Sequence, residues 1–258
     1  MPDTRQHRGP HPEDPSLFAP ANYPALQSAT YDLSWLLSHG YALPSSLKIV
    51  GDRYQLTERQ RLAIMRSSCS DLSLHLRQQN QLPIQAAEKI PLLIDGYNLL
   101  TTIEAALGHS FLLLGRDHCL RDLASMHGHY KRVAETTPAL ELIGQSLADL
   151  QTPTAHFLLD APVSNSARLK TVMQQLASQK HWPWQISLLP DPDPILAKST
   201  EIIVTADSII LDGSRNPKDH APPKWLNLAL HIVTTHIPSA TIIPMTNPAR
   251  SPNDSMPR

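Results

Sequence analysis

The chain has 258 residues, of which 41% are hydrophobic and 17% are charged, and its formal net charge is −1. This composition is ordinary for a globular protein, and the length allows one α/β domain plus a smaller module. A charge this close to zero does not mark a strongly basic nucleic-acid binder, so contact with nucleic acid would require a local basic patch.

The sequence also indicates the cellular setting and excludes several common sites. Cys69 and Cys119 are far apart, which argues against a disulfide framework and fits a reducing cytosol. The N-terminus lacks the apolar core of a signal peptide, and no apolar run approaches the ~18 residues of a membrane span. We therefore expect a soluble, cytoplasmic protein without a membrane segment. No HExxH, GxxxxGK[ST] or GxGxxG motif is present.

The N-terminal part divides into a tail, a helical module and a linker. Residues 1–26 are polar and rich in proline, which predicts a flexible tail. Residues 27–78 show helical periodicity, with Gly40 placed as a C-cap glycine and Thr57 paired with Gln60 in a capping box. This pattern predicts a small all-α module, and the glutamine-rich stretch 78–88 predicts a linker. The module's excess of Lys and Arg is compatible with nucleic-acid contact or with a solvated helix face.

From residue 90 onward, short apolar runs alternate with amphipathic helical segments. The predicted strands lie at about residues 91–95, 154–159, 184–189, 201–205 and 240–244. Strands separated by helices imply right-handed crossovers and a parallel central sheet covered on both faces. We therefore expect an α/β domain over residues 90–245 and a second flexible tail over residues 246–258.

The most informative motif is Asp95-Gly96-Tyr97-Asn98, directly after the apolar run Pro91–Ile94. In open α/β sheets, ligands bind at the carboxyl ends of the strands, which is where this motif places Asp95. The alternative is that Asp95 only caps the next helix. We expect that helix to begin near Thr101, which favours a ligand role for Asp95. Tyr97 would offer a stacking face, and Asn98 would orient Asp95 or a metal-bound water.

Two further strands also end in an aspartate. Asp160 follows Phe157–Leu159, and its alternative role is that of a turn residue. Ser164 and Asn165 then stand where the next helix begins, free to cap that helix or bind substrate. Asp207 follows a β-branched strand in which Thr205 would bind a phosphate or water, or satisfy the strand end. Three carboxylates at one sheet edge would suit Mg²⁺ or Mn²⁺.

Asp191 and Asp193 lie in the proline-rich segment Pro190–Pro194. Prolines hold this loop in an extended geometry, so that one of the two carboxylates would complete a metal site. The alternative is a solvated loop in which Asp193 caps the following helix. The sequence does not decide between the two acids.

A charged segment over residues 116–122 is predicted to be helical. Arg116 and Arg121 would either form surface salt bridges with Asp122 or, together with Lys131 and Arg132, steer a polyanion toward the acidic edge. We retain both arginines as candidate substrate-binding residues.

The ordered motifs resemble those of PIN-like nucleases, and the closest branch is the NYN type. They are Leu92-Leu93-Ile94-Asp95-Gly96-Tyr97-Asn98, Phe157–Ala161, the acids around Asp191 and Asp193, and Val204–Ser208. The resemblance covers about residues 90–245, and the whole chain looks like an uncharacterised prokaryotic family with an N-terminal helical domain. The motif Asp95–Asn98 is moderately specific, and the later motifs gain weight from their order.

The resemblance implies a Rossmann-like three-layer domain whose Asp95, Asp160 and Asp207 hold Mg²⁺ or Mn²⁺ and activate water against an RNA phosphodiester bond. The middle acids depart from the family pattern, because they lie in a proline-clamped loop instead of at a helix start. Two hypotheses follow: a metal-dependent endoribonuclease, or a non-catalytic RNA- or protein-binding module with a degraded site. The helical module would either position substrate or act as a structural cap. The sequence leaves the oligomeric state open.

Overall fold

The computed structural model describes residues 7–123, 130–213 and 221–247. The predictions for residues 1–6 and 248–258, which belong to the two expected tails, lie outside these ranges. In the described ranges, no helix has both the length and the apolar character needed to cross a membrane.

The described residues form eleven α-helices and nine strands. The helices are α1 Asp14–Leu17, α2 Tyr23–Ser38, α3 Leu43–Arg53, α4 Glu58–Ser67, α5 Asp71–Asn80, α6 Gly96–Leu107, α7 Thr136–Asp149, α8 Ser166–Lys180, α9 Asp193–Ala197, α10 Ser208–Asp212 and α11 Leu228–His236. The strands are β1 Gln81–Leu82, β2 Leu92–Asp95, β3 Phe111–Leu114, β4 Leu120–Arg121, β5 Ala155–Asp160, β6 Trp184–Leu189, β7 Ile202–Val204, β8 Trp225–Leu226 and β9 Thr241–Pro244.

Six strands form a central parallel sheet in the order β1-β8-β7-β2-β5-β6. Leu92 of β2 pairs with Ala155 of β5 on one side and with Ile202 of β7 on the other. Because the strands run in the same direction, β2, β5, β6 and β7 all end at one edge. This confirms the predicted Rossmann-like α/β fold with a parallel sheet and a preceding helical module.

Alternation along β2 explains the three layers. Leu92 and Ile94 belong to the core that the sheet forms with α6, α7, α8 and α11. Leu93 lies in the opposite core, with Leu196 of α9 and Ile210 of α10. Successive side chains of a strand point to opposite faces, so an entirely apolar strand must be covered on both sides.

The strand expected at 240–244 is present as β9, but it does not join the central sheet. It pairs with β3 in a separate three-stranded sheet of order β4-β3-β9. Ile243 of β9 and Leu113 of β3 are buried there against Leu33 and Ile64 of the helical module. The second sheet covers the apolar face of that module.

The helical module follows the local signals of its sequence. Thr57 and Gln60 form the predicted capping box at the start of α4. Gly40 has φ +80° after the end of α2, a conformation that a glycine adopts without strain. The shared core with β3 and β9 supports the structural-cap interpretation of the module.

The structure differs from the prediction in two segments, the expected N-terminal tail and the expected linker. Residues 7–26 do not form a tail: they include α1, a 3-10 turn at Pro20–Asn22 and the start of α2. Phe18 in this segment is fully buried in the module core. The predicted linker 78–88 is also ordered, since α5 continues to Asn80 and β1 pairs with β8. The proline-rich composition of the first segment and the glutamine-rich composition of the second did not indicate the few apolar and charged residues that hold these segments in place.

Arg8 anchors the N-terminal segment through a buried ion pair with Glu104. Its Nε lies 2.6 Å from Oε2 of Glu104, and the side-chain exposures are 7% and 0%. The other carboxylate oxygen of Glu104 accepts hydrogen bonds from the hydroxyls of Tyr130 and Thr136. Burial raises the pKa of Glu104, and the Arg8 guanidinium opposes that rise. Without Arg8, the ionised Glu104 would be left in the core without a cation.

Arg8→Ala should therefore lower the free energy of unfolding by about 3–5 kcal/mol, the usual cost of removing one partner from a buried ion pair. Urea denaturation at pH 7 measures this change. The additional substitution Glu104→Gln should restore part of the loss, because a buried amide carries no charge.

The matched control is Arg53→Ala. The Arg53 side chain is 60% exposed and its Nη1 lies 3.7 Å from Oδ2 of Asp32, so the expected loss is below about 1 kcal/mol. Equal effects of the two substitutions would contradict the anchoring role of Arg8.

Candidate functional site

Four aspartates that follow or end strands of the central sheet line one open cavity at its carboxyl edge. They are Asp95, Asp160, Asp193 and Asp207, the cavity has a volume of about 420 Å³, and Asp122 lines it as well. Asp191, the fifth acid predicted as a metal ligand, is exposed and does not line this cavity. Sequence order and strand direction thus predicted the meeting of the acids, but not which member of the Asp191–Asp193 pair would take part.

Asp95 is both a cavity acid and a helix cap. Helix α6 begins at Gly96, so the expectation that it would begin near Thr101 is wrong. One carboxylate oxygen of Asp95 accepts from the Asn98 backbone N–H at 3.3 Å, and the other accepts from the Thr205 hydroxyl at 2.8 Å. The capping and site roles, which the sequence presented as alternatives, belong to the same side chain.

Gly96 is explained by close packing. A Cβ at this position would lie 2.6 Å from Cδ2 of Leu159 and 3.0 Å from the carbonyl oxygen of Leu158. The first turn of α6 therefore lies directly against β5. A larger residue would have to displace the Leu159 side chain or move the start of α6 away from β5.

Tyr97 does not offer the stacking face that the sequence predicted. It lines the cavity, but its side chain is only 3% exposed and its ring packs against Tyr130 with 5.3 Å between the ring centroids. Burial raises the pKa of its hydroxyl, and the nearby charge of Asp160 adds to the rise. Its position on the buried side of α6 makes it a packing residue.

Asn98 and Thr205 hold the acids in place. The Asn98 side-chain oxygen accepts from the backbone N–H of Ala206 at 2.8 Å, which ties α6 to the end of β7. The Thr205 hydroxyl donates to Asp95 and accepts from the backbone N–H of Asp207 at 3.0 Å. Thr205 satisfies the strand end, as one prediction had it, and it also orients Asp95. Asn98 contacts Asp95 only through its backbone N–H, since its side chain binds Ala206.

Asp207 is the N-cap of α10. Its Oδ1 accepts from the backbone N–H groups of Ile209 at 2.7 Å and Ile210 at 3.4 Å. No second protein donor to its other oxygen is present among the described residues. That oxygen is the part of the side chain available to a ligand.

Asp160 and Asp193 are the half-buried acids of the cavity. Burial raises the pKa of Asp160, as does the charge of Asp191. Burial also raises the pKa of Asp193 to about 6, with contributions from Asp207, Asp160 and Asp191. Asp193 does not cap α9, whose N-cap is Pro192. The solvated-cap alternative for Asp193 is therefore wrong.

Asp95 has the most perturbed acidity of the four. Burial raises its pKa to about 7, and the charges of Asp207 and Asp193 add to the rise, while the hydrogen bonds from Thr205 and Asn98 oppose it. Acids that raise one another's pKa occupy a site of negative potential, which a bound cation would relieve.

Three predicted substrate-binding residues lie elsewhere. Arg116 lines a different cavity, of about 480 Å³, and its guanidinium donates to the carbonyl of Cys69 and to Asp71. Asn165 lines a third cavity, and its amide donates to the carbonyl of Tyr130. Ser164 does not line the acidic cavity. Helix α8 begins at Ser166, and Asn165 precedes it in a left-handed conformation.

Arg121 does line the acidic cavity, but not on a helix. Residues 120–121 form β4, which pairs with β3. Both Nη atoms of Arg121 donate to Asp117, and its Nε donates to the carbonyl of Ala206. Burial would raise the pKa of Asp117, but Arg121 and Arg77 hold it below its ordinary value. Arg121 is thus a buried structural cation.

Arg66 of α4, one of several basic residues of the helical module, lines the same cavity as the four acids. Its Nη1 donates to the backbone carbonyl of Asp122 at 2.6 Å and to the Asp122 carboxylate at 3.3 Å. The basic excess of the helical module was the available signal, but it did not distinguish Arg66 from its neighbours.

The donor chemistry of the cavity fits a hard divalent cation, with a restriction on geometry. Within residues 7–123, 130–213 and 221–247, no three Asp, Glu, His or Cys side chains lie close enough together to hold a metal ion. Mg²⁺ is often bound by one or two carboxylates, with water and substrate phosphate completing its shell. The aspartates fit that partial ligand set and not an all-protein cage.

Two family models match the chain. One, described as Domain of unknown function (DUF5616), matches residues 84–221, and the other, described as Protein of unknown function (DUF434), matches residues 25–79. The chain is also similar to the uncharacterized protein MJ0935 of Methanocaldococcus jannaschii, with 26% identity over 187 residues, covering 72% of this chain and 89% of that protein. No solved structure matches. The four cavity acids lie in the first matched range and Arg66 in the second.

Asp95→Asn should stabilise the metal-free protein more at pH 8 than at pH 5. A raised pKa in the folded state means that parental stability falls as pH rises from about 4 to about 7, because the folded protein keeps a proton that the unfolded chain has lost. The amide removes this loss and can still cap α6. We expect the difference from the parent to grow by more than about 1.4 kcal/mol, the equivalent of one pH unit.

Thermal or urea unfolding in EDTA at both pH values measures this difference. Asp149→Asn, on the exposed side of α7, removes the same charge outside the cavity and should leave the pH dependence unchanged. If the free energies of unfolding of Asp95→Asn and the parent changed with pH in the same way, the result would show that burial does not raise the pKa of Asp95.

Proposed function

This chain belongs to the family described as Domain of unknown function (DUF5616). We propose that it is a metal-dependent endoribonuclease that hydrolyses RNA phosphodiester bonds at the aspartate cavity. The observation that carries the proposal is the convergence of Asp95, Asp160, Asp193 and Asp207 on one open cavity. Acids from separate strand ends are brought together there at a cost in like-charge repulsion, which is typical of sites built for a cation.

One or two of Asp95, Asp160 and Asp207 would bind Mg²⁺ or Mn²⁺ directly, with water and substrate phosphate completing its shell, and Asp193 lies beside them. When bound, the cation would supply Lewis acidity toward the phosphate and lower the pKa of water in the cavity. Asp95 cannot turn freely, because both of its oxygens accept hydrogen bonds from the protein. A fixed carboxylate lowers the cost of ordering the site when substrate binds.

Asp193 is the residue best placed to accept a proton. It is half-buried in the cavity and its pKa is raised to about 6, so at neutral pH it is mostly ionised and still a useful base. General bases work best when their pKa lies near the working pH. We assign Asp193 the role of taking a proton from the attacking water.

The choice of RNA as substrate rests on the likeness of Asp95-Gly96-Tyr97-Asn98 and the later motifs to NYN-type PIN-like nucleases. Two free, buried cysteines accord with a reducing compartment, so we assign the protein to the cytoplasm. The cavity is open to solvent, which suits a polymer that must pass across the site and not be enclosed by it.

A second candidate is a binding module that keeps the fold without hydrolysis. It is favoured by the engagement of Asp95 and Asp207 as helix caps, and by the absence of a three-ligand group among the residues that the structure describes. Such a module would bind RNA or protein at the same edge and would need no metal.

Purified protein should cleave 5′-labelled single-stranded or structured RNA with Mn²⁺ or Mg²⁺ and stop when EDTA is added. Asp193→Asn should lower kcat by about 10²–10⁴-fold, the usual contribution of a general base. Asp160→Asn should reduce cleavage and weaken Mn²⁺ binding measured by calorimetry, because a ligand is lost. Asp149→Asn is the matched control on the exposed side of α7 and should cleave like the parent.

RNA binding without cleavage across the metal series would favour the binding module. Cleavage that survives Asp160→Asn and Asp193→Asn unchanged would refute the assignment of the cavity. Unfolding curves for each variant separate lost chemistry from lost structure.

A further inference from the structure

Two arginines line the acidic cavity, and they differ in what their guanidinium groups already bind. Arg121 is 11% exposed, with both Nη atoms on Asp117 and Nε on the carbonyl of Ala206. Every nitrogen of its guanidinium therefore has a protein partner.

The charge of Arg121 is also cancelled locally. Arg77 of α5 binds both Asp117 and Asp212, so two arginines and two aspartates form one neutral, mostly buried network. A substrate approaching the cavity would find little positive potential at Arg121. The attraction of a polyanion to this edge must come from another group.

Arg66 remains partly available. Its Nη1 donates to the main-chain carbonyl and to the carboxylate of Asp122, and its side chain is 30% exposed. In the described part of the chain, Nε and Nη2 have no hydrogen-bond partner. One side of the guanidinium is thus fixed to the protein and the other can donate to a ligand.

A guanidinium anchored in this way suits a phosphate group. Arginine presents parallel N–H donors that match two oxygens of a phosphate, and anchoring reduces the entropy lost on binding. Beside four aspartates, a free anion would be repelled, so a cation is needed wherever a phosphate rests near the metal-binding acids.

Resting on the proposed function, we infer that Arg66 is the phosphate-binding residue of the site, contacting a backbone phosphate of the RNA strand next to the bond that is cut. The helical module then supplies a positioning residue to the cavity of the α/β domain. The module then has both predicted roles, as a structural cap and in positioning substrate. Its core packing holds Arg66 at the sheet edge, and Arg66 binds substrate.

The test is the salt dependence of RNA binding. A single-stranded oligoribonucleotide is bound in Mg²⁺ with KCl varied, in an Asp160→Asn background that suppresses cleavage. Loss of one phosphate contact should reduce the slope of log K against log [KCl] by about 0.7 for a single strand. Arg66→Ala and Arg66→Gln should show this reduction. Arg66→Lys should keep the slope, because the positive charge remains.

Kinetics in the otherwise unchanged protein provide a second readout. Arg66→Ala should raise KM by about tenfold with kcat within a few-fold of the parent, since the contact is made in both ground and transition states. Arg53→Ala removes an exposed arginine of the same module outside the cavity and should match the parent in both assays.

A purely structural role through Asp122 would lower thermal stability and leave the salt slope at its parental value, and that result would overturn the inference. So would an equal loss of slope in Arg66→Lys, or a parent that does not bind RNA. Arg66→Gln, which keeps a donor for the Asp122 carbonyl, preserves the test if Arg66→Ala folds poorly.

The outcomes for the two proposals are separable. If the parent binds RNA without cutting it and the Arg66 substitutions reduce the salt slope, the results would support the role of Arg66 and refute hydrolysis. Metal-dependent cleavage with no slope change in Arg66→Ala and Arg66→Gln would support hydrolysis and refute the role of Arg66.

Discussion

The hydrogen bonds of the Asp95 carboxylate join the parts of the structure on which the site depends. One oxygen caps α6 through the Asn98 N–H, and the other accepts from Thr205 at the end of β7. Gly96 makes the arrangement possible, because α6 begins against β5 with no room for a Cβ. The same burial that fixes the carboxylate raises its pKa to about 7. Burial is therefore the common cause of the fixed position of this carboxylate and of its raised pKa.

This double use changes how a strand-end acid should be interpreted. Capping and ligand binding are often treated as competing explanations, but a carboxylate has several lone-pair sites and can accept from the protein while facing a cavity. Asp207 repeats the pattern with two amides of α10 on one oxygen. Helix N-termini also favour negative charge, so the N-terminus of α6 offsets part of the cost of burying the Asp95 carboxylate.

The helical module and the α/β domain are bound together by two kinds of contact. Apolar side chains of α2 and α4 share a core with β3 and β9, which excludes a simple linker between independent units. Buried ion pairs add geometry to this packing: Arg8 reaches Glu104, and Arg77 reaches Asp117 and Asp212. Ion pairs of this kind contribute little net stability but are costly to break, so they favour one arrangement of the two parts.

The sequence by itself determined the fold class, four of the six strands described in the central sheet and the acids that follow them. Apolar runs with aspartates at their boundaries are local signals, and parallel strands necessarily bring those boundaries to one edge. The tertiary structure alone decided which polar groups meet. It placed Asp193 in the cavity and Asp191 outside it, sent β9 to a second sheet, tied Arg116 and Asn165 elsewhere and brought Arg66 to the edge. Side-chain partners are chosen by residues distant in sequence, and no local pattern contains that information.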